Sequence, residues 1–362
     1  MMTGRQFWPD ALRAFSISLV LFSHFLYFWP GFLETTAALI GLLGVEIFFS
    51  LSGFLIGRIL LDLEKEGLSA RGVGRFWVRR WLRTLPAYYT VITLLALIAP
   101  RFDPLSYLFL QYFEPDQHGV LVVSWSLAME EFFYLLFPLA MGLMALLPRR
   151  ISPTLGAALL MAAGLTGLRL GLLLTHADLR DPSFHSHPFL RLDCCAYGVI
   201  AAWMADRGLK VGKGGRIAAL AIFALACGLM EVLWKSAFGQ MPPGWSLGFL
   251  WGPGMWAAFH DIVAIPAAFL LFAFAPRKGP RHSSAVTGLS RLSYGLYLVH
   301  LPIIFGIAGL NLPLPAAAKM AMALAASFAA ASALHLLVEK PALAFRDRRF
   351  PQGIRPPTRS IP

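Results

Sequence analysis

The chain has 362 residues, of which 57% are hydrophobic and 14% are charged, and its mean hydropathy is +0.65. A soluble protein of this length contains about one-quarter charged residues, so the composition excludes an ordinary soluble domain and indicates a membrane protein. The formal net charge of +12 is compatible with nucleic-acid binding, but loops beside a membrane carry the same excess of lysine and arginine.

Ten segments approach the roughly 20 apolar residues that a helix needs to cross a bilayer. We therefore predict an all-α, polytopic integral membrane protein with ten transmembrane helices. Residues 1–345 would form this membrane domain, and residues 346–362, rich in proline and arginine, a disordered cytoplasmic tail. The predicted spans are 8–30, 37–61, 85–99, 126–147, 154–175, 190–205, 217–234, 255–274, 289–310 and 316–338.

An even number of spans places both termini on the same side of the membrane. If that side is the cytoplasm, 23 of the 31 lysine and arginine residues fall in or next to cytoplasmic segments. The positive-inside rule then favours cytoplasmic termini, and it explains the net charge without a nucleic-acid partner. Charge interrupts the first apolar segment and no small-residue cleavage site follows it, so we expect this segment to remain as the first span.

The first span carries three ionisable residues in the sequence DALRAFSISLVLFSHF, residues 10–25. Arg13 and His24 are eleven residues apart and therefore share a helix face, separated by about 16 Å along the axis. Asp10 lies one turn from Arg13 and can pair with it. Ionisable groups inside a span are costly and indicate a functional site. The alternative is a buried ion pair and a histidine that bonds to another helix.

Polar residues also interrupt the second and fourth spans. Glu46 lies in the outer half of the second span, and Ser52 follows in the same apolar sequence, GVEIFFSLSGFLI. Ser52 either contacts substrate or only permits close helix packing. In the fourth span, Ser126, Glu130 and Tyr134 recur every four residues and share one face. This face is a second candidate for chemistry.

An arginine-rich sequence, RFWVRRWLRTLP, precedes the third predicted span. Arg79 and Arg83 are four residues apart and share a face, with Arg80 beside them. Guanidinium groups bind phosphates through two hydrogen bonds at once, which favours a phosphate-binding role. The alternative is anchoring of the helix at the membrane interface by arginine and tryptophan.

The order of these motifs, from the N-terminus to about Pro341, resembles the acyltransferase-3 family of membrane O-acyltransferases. The DALR sequence followed by His24 resembles the family's R-x10-H motif, and Arg80 and Arg83 resemble its R-x-x-R element. WSLAMEEFFYLLFP resembles W-S-L-x-x-E-E-Q-F-Y, with Phe132 at the position of the usual glutamine. Glu46 stands where the family usually has aspartate. RLDCCAYGVIAAW, LSYGLYLVHLP and VEKP resemble later family segments.

The resemblance implies transfer of an acyl group, often acetyl, from acyl-CoA to a hydroxyl of a surface or secreted glycan, in the inner membrane. Arg79, Arg80 and Arg83 would then hold the coenzyme A phosphates on the cytoplasmic side, and Arg13 would be a catalytic residue that positions or polarises the donor. His24 would be a general base or a transient acyl carrier, because an imidazole titrates near neutral pH. The resemblance also names Glu130 as catalytic and the following as substrate-binding: Glu46, Ser52, Tyr134, Arg191, Asp193, Tyr294 and His300.

The same residues also fit other acceptors and another class of protein. The acceptor can instead be a small molecule or a lipid-linked compound such as a macrolide. A transporter or flippase for a lipid-linked sugar would also carry charges inside its spans, although the chain shows no internal repeat of the kind common in transporters. The three cysteines have no metal-ligand spacing, so we expect no bound metal.

Overall fold

The structure is a computed structural model, and it describes residues 7–29, 34–99, 102–113, 119–147, 151–175, 187–237, 259–274 and 284–351. Every regular element within these ranges is helical. A π-helical turn, His335–Glu339, joins the last two helices. The helices are α1 (Phe7–Phe25), α2 (Glu34–Lys65), α3 (Ala70–Ile98), α4 (Ser124–Ala145), α5 (Pro153–Thr175), α6 (Asp193–Asp206), α7 (Lys213–Ala237), α8 (Asp261–Phe274), α9 (Ser284–Gly309), α10 (Ala316–Leu334) and α11 (Lys340–Arg349).

Within the described residues, eight helices are long and apolar enough to cross a membrane. The other two predicted spans correspond to α6 and α8, which have 14 residues each. A helix of that length extends about 21 Å, against about 30 Å for the hydrocarbon core. Residues 255–258, where the eighth span was predicted to begin, lie outside the described residues. The all-helical membrane architecture is confirmed, while ten spans and cytoplasmic termini stay predictions.

Helix α3 begins 15 residues before the predicted start of the third span at residue 85, because it starts at Ala70. Ser69 caps it, since the side chain of Ser69 accepts a hydrogen bond from the Gly72 backbone N–H. The arginine-rich sequence therefore belongs to the helix and does not precede it. Its charges lower the local hydropathy, which is why the apolar run alone placed the start too late.

Helices α1 and α9 pack side by side and run parallel. Near their starts, the Ser290 hydroxyl donates to Asp10 at 2.7 Å. Near the C-terminal end of α1, His24 Nδ1 lies 2.9 Å from His300 Nε2. We call the end with Asp10 the mouth end and the end with His24 the histidine end. Helix α2 runs antiparallel to α1, so its C-terminal half lies at the mouth end.

Helix α11 extends past residue 345, the predicted end of the membrane domain. It packs against α3 through an ion pair of 3.0 Å between Arg79 and Asp347. Arg79 also donates to the backbone carbonyl of Phe350. Residues 352–362 of the predicted tail lie outside the described residues.

Helices α2 and α6 cross in backbone contact at two glycines. A Cβ atom added to Gly53 would lie 1.8 Å from the Cys195 carbonyl oxygen, and one added to Gly198 would lie 2.1 Å from the Ser50 carbonyl oxygen. Both obstacles are backbone atoms of helices, so they cannot move without separating the two helices.

Substituting either glycine should therefore destabilise the protein. We expect Gly53→Ala and Gly198→Ala each to lower the free energy of unfolding by about 1–3 kcal/mol or more, the usual effect of overpacking a core. Thermal unfolding in detergent measures this, with Gly164→Ala in α5 as the control, because a Cβ there meets no atom within 4 Å. Equal unfolding temperatures for all three variants would contradict the close crossing.

Candidate active site

A cavity of about 820 Å³ opens between α1, α2, α3, α4, α9 and the π-helical turn. We call it the central cavity. It brings together side chains that are far apart in sequence, and most of its wall comes from the predicted motifs. The predicted site residues that line it are Arg13, Ser52, Arg80, Arg83, Glu130, Tyr134 and Tyr294.

The wall of the central cavity carries more cations than carboxylates. Its carboxylates are Asp10, Glu130 and Glu339. A cavity with an excess of one charge concentrates ligands of the opposite charge, so this one favours an anionic ligand. Arg58, Arg291 and Lys340 were not among the predicted site residues, because they lie outside the motifs from which those residues were chosen. The cations are Arg13, Arg58, Arg80, Arg83, Arg291 and Lys340.

Asp10 and Arg13 form the predicted pair at the mouth end. Arg13 Nη1 lies 3.3 Å from Asp10 Oδ1 and 3.4 Å from the Ser290 hydroxyl, which itself donates to the same carboxylate oxygen. Arg13 therefore lines the central cavity near its opening. It lies about three turns of α1 from His24, so the two side chains are near opposite ends of the helix.

A hydrogen-bonded chain of three side chains lies on the wall between α2 and α4. The Tyr134 hydroxyl donates to Glu130 Oε2 at 2.7 Å. Ser52 Oγ lies 2.5 Å from the same hydroxyl and is left as the donor to it. The Arg80 guanidinium lies over the Tyr134 ring, 5.8 Å from its centroid. These contacts confirm that Glu130 and Tyr134 share a face and add Ser52 and Arg80 to it.

Glu131 bonds to a different helix from its neighbour Glu130. Its carboxylate accepts a hydrogen bond of 2.6 Å from the Thr84 hydroxyl of α3. The Tyr294 hydroxyl of α9 donates to the Thr84 carbonyl at 2.8 Å. Glu131 thus holds α3 and α4 together, and Tyr294 joins α9 to the same point.

The His24 and His300 rings are hydrogen-bonded at the histidine end, with His24 Nδ1 2.9 Å from His300 Nε2. His300 Nδ1 lies 2.9 Å from the Leu296 carbonyl oxygen, which can only accept. A neutral His300 therefore carries its proton on Nδ1 and accepts at Nε2. It follows that His24 donates from Nδ1 and keeps its lone pair on Nε2, the form that a general base requires.

Tyr297 stands between the central cavity and the two histidines. Its hydroxyl donates to the Val123 carbonyl at 2.9 Å and lies 2.5 Å from Ser126 Oγ. Its ring centroid is 5.9 Å from that of His300. Tyr297 and Ser126 both line the cavity, whereas His24 and His300 do not. Tyr297 was not among the predicted site residues, although it lies one turn before His300 in the same motif.

Glu46 and Arg191 are buried and bonded to each other rather than exposed in the central cavity. His260 Nδ1 lies 2.9 Å from the same Glu46 carboxylate oxygen. The Arg191 guanidinium also stacks on the rings of Phe49 and Trp125, at 5.4 and 5.1 Å. Phe49 lines the cavity, so this network supports an aromatic part of the wall from behind.

Asp193 belongs to a second buried network. Arg169 Nη2 lies 2.6 Å from Asp193 Oδ2 and 2.9 Å from Asp261 Oδ2. With Cys194, these two carboxylates form a cluster close enough to bind a metal. The guanidinium that bonds to both carboxylates occupies the place that a cation would take. The structure does not bring Asp193 to the cavity. Arg79 is also absent from the wall, because it bonds to α11.

Comparison with known proteins identifies the family. Residues 6–336 match the family described as an acyltransferase domain. The chain is 28% identical over 332 residues to the peptidoglycan O-acetyltransferase OatA of Listeria monocytogenes. This alignment covers 82% of this chain and 49% of that protein. It is 34% identical over 152 residues to the putative peptidoglycan O-acetyltransferase YrhL of Bacillus subtilis, covering 36% of this chain and 23% of that protein.

A third relative is the O-acetyltransferase OatA of Staphylococcus aureus, at 31% identity over 179 residues, 43% of this chain and 28% of that protein. The chain therefore spans about half the length of these relatives or less. No solved structure shows a significant match. Because the family match covers most of the sequence, the chain belongs to the acyltransferase-3 family.

Proposed function

We propose that the protein is an O-acyltransferase of the inner membrane that moves an acetyl group from acetyl-CoA to a hydroxyl of a cell-envelope glycan. The observation that carries this proposal is the central cavity, which is cationic at the mouth end and leads toward His24 and His300. The relatives named as peptidoglycan O-acetyltransferases support a glycan as acceptor.

Coenzyme A fits the central cavity in charge and in length. Arg80 and Arg83 lie on one wall and match the diphosphate, because guanidinium groups bind phosphate oxygens in pairs. From Ser290, level with Asp10, to His300 is ten residues of α9, or about 15 Å. An extended pantetheine arm covers such a distance, so a donor held by the arginines would present its thioester near Tyr297 and the histidines.

The histidine pair supplies the base for the transfer. His24 Nε2 takes the proton of the acceptor hydroxyl, whose oxygen attacks the thioester carbonyl carbon. The C–S bond then breaks, and the departing thiolate recovers the proton from His24. General bases of this kind contribute about 10²–10⁴-fold to the rate. His300 keeps the lone pair on the reactive nitrogen of His24.

The donor and acceptor would approach from opposite ends of the bundle. The cations that line the central cavity lie toward the mouth end, and α1 separates Arg13 from His24 by about 16 Å. With the termini in the cytoplasm, the mouth end takes donor from the cytoplasm, and the histidine end meets an acceptor from outside. Tyr297 is then the side chain that the acyl group must pass.

Turnover of labelled acetyl-CoA by the purified protein in liposomes tests the proposal. We expect CoA release that depends on added glycan extract, with label recovered in the glycan. Arg83→Ala should raise the KM for acetyl-CoA about 10–100-fold, because it removes a charge-assisted phosphate contact. Lys213→Ala is the matched control, since Lys213 begins α7 and does not line the cavity.

Two other results would contradict all or part of this proposal. If the wild-type protein leaves both acetyl-CoA and longer acyl-CoAs intact, the acyltransferase proposal fails. The charges inside the spans would then favour a transport path. Label that appears only in an acceptor trapped on the donor side would contradict transfer across the membrane while leaving the transferase activity in place.

A further inference from the structure

Three exposed cations besides Arg83 line the central cavity, and they come from three separate elements. Arg58 lies near the C-terminal end of α2, Arg291 near the start of α9, and Lys340 begins α11. None of them belongs to α3, which carries Arg80 and Arg83. The cavity thus has two groups of cations on different walls.

Arg58 and Arg291 lie at a different depth in the central cavity from the arginines of α3. Ser52 bonds to the hydroxyl of Tyr134, whose ring lies under Arg80. Arg58 lies nearer the mouth end than Arg80, because it is six residues, or about 9 Å, past Ser52 on α2.

Arg291 follows Ser290, which bonds to Asp10 at the mouth end. Tyr294, one turn further along α9, bonds to the carbonyl of Thr84, the residue after Arg83. Arg291 therefore lies about one turn nearer the mouth end than Tyr294 and Thr84.

Coenzyme A has its phosphates in a matching order. The diphosphate lies between the pantetheine arm and the ribose, and a separate monophosphate is attached to the ribose, farther from the thioester. A phosphate monoester carries about −1.5 to −2 charges at pH 7 and accepts several strong hydrogen bonds. Two arginines on α3 suffice for the diphosphate, which leaves the monophosphate to Arg58, Arg291 and Lys340.

We propose that Arg58, Arg291 and Lys340 form a second phosphate subsite, which binds the ribose 3′-phosphate of the donor. This inference rests on the proposed use of acyl-CoA. It makes α11 part of the donor site, since Lys340 and Leu343 both line the cavity. The Arg79–Asp347 ion pair and the hydrogen bond from Arg79 to the Phe350 carbonyl join α11, and with it Lys340, to the helix that carries Arg80 and Arg83.

Binding of two donors to the full-length protein in phosphatidylcholine nanodiscs tests the subsite. One donor is acetyl-CoA, and the other is its 3′-dephospho analogue. We expect the wild-type protein to bind the analogue about 10–100-fold more weakly, because charge-assisted hydrogen bonds are lost. Lys340→Ala and Arg291→Ala should each weaken acetyl-CoA binding about tenfold and leave binding of the analogue unchanged. Lys213→Ala should change neither.

The other outcomes overturn the subsite in distinguishable ways. If Lys340→Ala and Arg291→Ala weaken both donors equally or neither donor, the 3′-phosphate is bound elsewhere, and the proposed function still stands. If the wild-type protein binds neither donor, the proposed function fails and the subsite fails with it. Unchanged binding of the analogue also shows that the variants are folded.

An anionic lipid headgroup offers similar phosphate chemistry at the opening. Repeating the measurement in nanodiscs that contain phosphatidylglycerol separates the two sources. If the substitutions alter only the dependence on phosphatidylglycerol and not the discrimination between donors, the cations bind lipid and the donor subsite is overturned.

Discussion

We expect His24→Gln to lower kcat for acetyl transfer by about 10²–10⁴-fold, the contribution of a general base. Glutamine keeps an N–H donor that can bond to His300 Nε2, so the packing between α1 and α9 is preserved. It has no basic lone pair, so the acceptor hydroxyl keeps its proton. Label transfer from acetyl-CoA to glycan in proteoliposomes measures the change. The KM for acetyl-CoA should stay within about twofold, because the phosphate contacts lie at the mouth end.

Ser18→Ala provides the control on the same helix, because the Ser18 hydroxyl is exposed and bonds within α1, to the Ala14 carbonyl. It should leave kcat unchanged. A His24→Gln variant that retains activity within about tenfold would move the base to another group. The candidate would then be Glu130, which lines the central cavity and accepts a hydrogen bond from the Tyr134 hydroxyl.

The His24→Gln variant also separates the two proposed roles of His24, general base and transient acyl carrier. A transient acyl carrier accumulates labelled protein when acetyl-CoA is supplied without acceptor, whereas a general base does not. Acid-quenched label that depends on His24 would therefore identify an acyl-imidazole. The absence of such label, with CoA release that depends on acceptor, would identify direct transfer.

The helices could be predicted from the sequence because apolar runs of about 20 residues have few other uses. Charged positions reveal the limit of this criterion. Helix α3 starts at Ala70, although its first half is rich in arginine. Helices α6 and α8 are shorter than a full span, yet their apolar sequences were predicted as spans 190–205 and 255–274, and both pack against α2 inside the bundle. A buried helix is apolar on all sides, so its hydropathy resembles that of a helix in contact with lipid.

The candidate site also contains residues that could be predicted from the sequence and residues that could not. Arg13, Glu130 and Tyr134 could be assigned to shared helix faces because helical periodicity fixes which residues of one helix point together. Glu46 and Arg191 carry equally costly charges, but they neutralise each other behind the cavity wall. Partners in different helices depend on how the helices pack, which no local pattern contains.

The pairing of His24 with His300, 276 residues away, leads to the second prediction. We expect His300→Leu to lower kcat about 100-fold, because His24 then loses its acceptor on α9 and keeps the Val20 backbone of its own helix as a partner. Both ring nitrogens of His24 would compete for the proton, and the Nε2 lone pair would face the acceptor in only part of the population. The KM for acetyl-CoA should remain unchanged, because His300 does not line the central cavity.

His300→Gln is the matched variant. The side-chain amide of glutamine reaches the position of His300 Nε2, and its oxygen can accept the His24 Nδ1 proton. We therefore expect His300→Gln to recover most of the activity lost in His300→Leu, at equal unfolding temperatures. If both variants lose activity equally with unchanged stability, His300 exchanges protons itself. If neither loses activity, the tautomer of His24 is fixed within α1. Recovery by glutamine alone shows that His300 acts as a hydrogen-bond acceptor that positions the base.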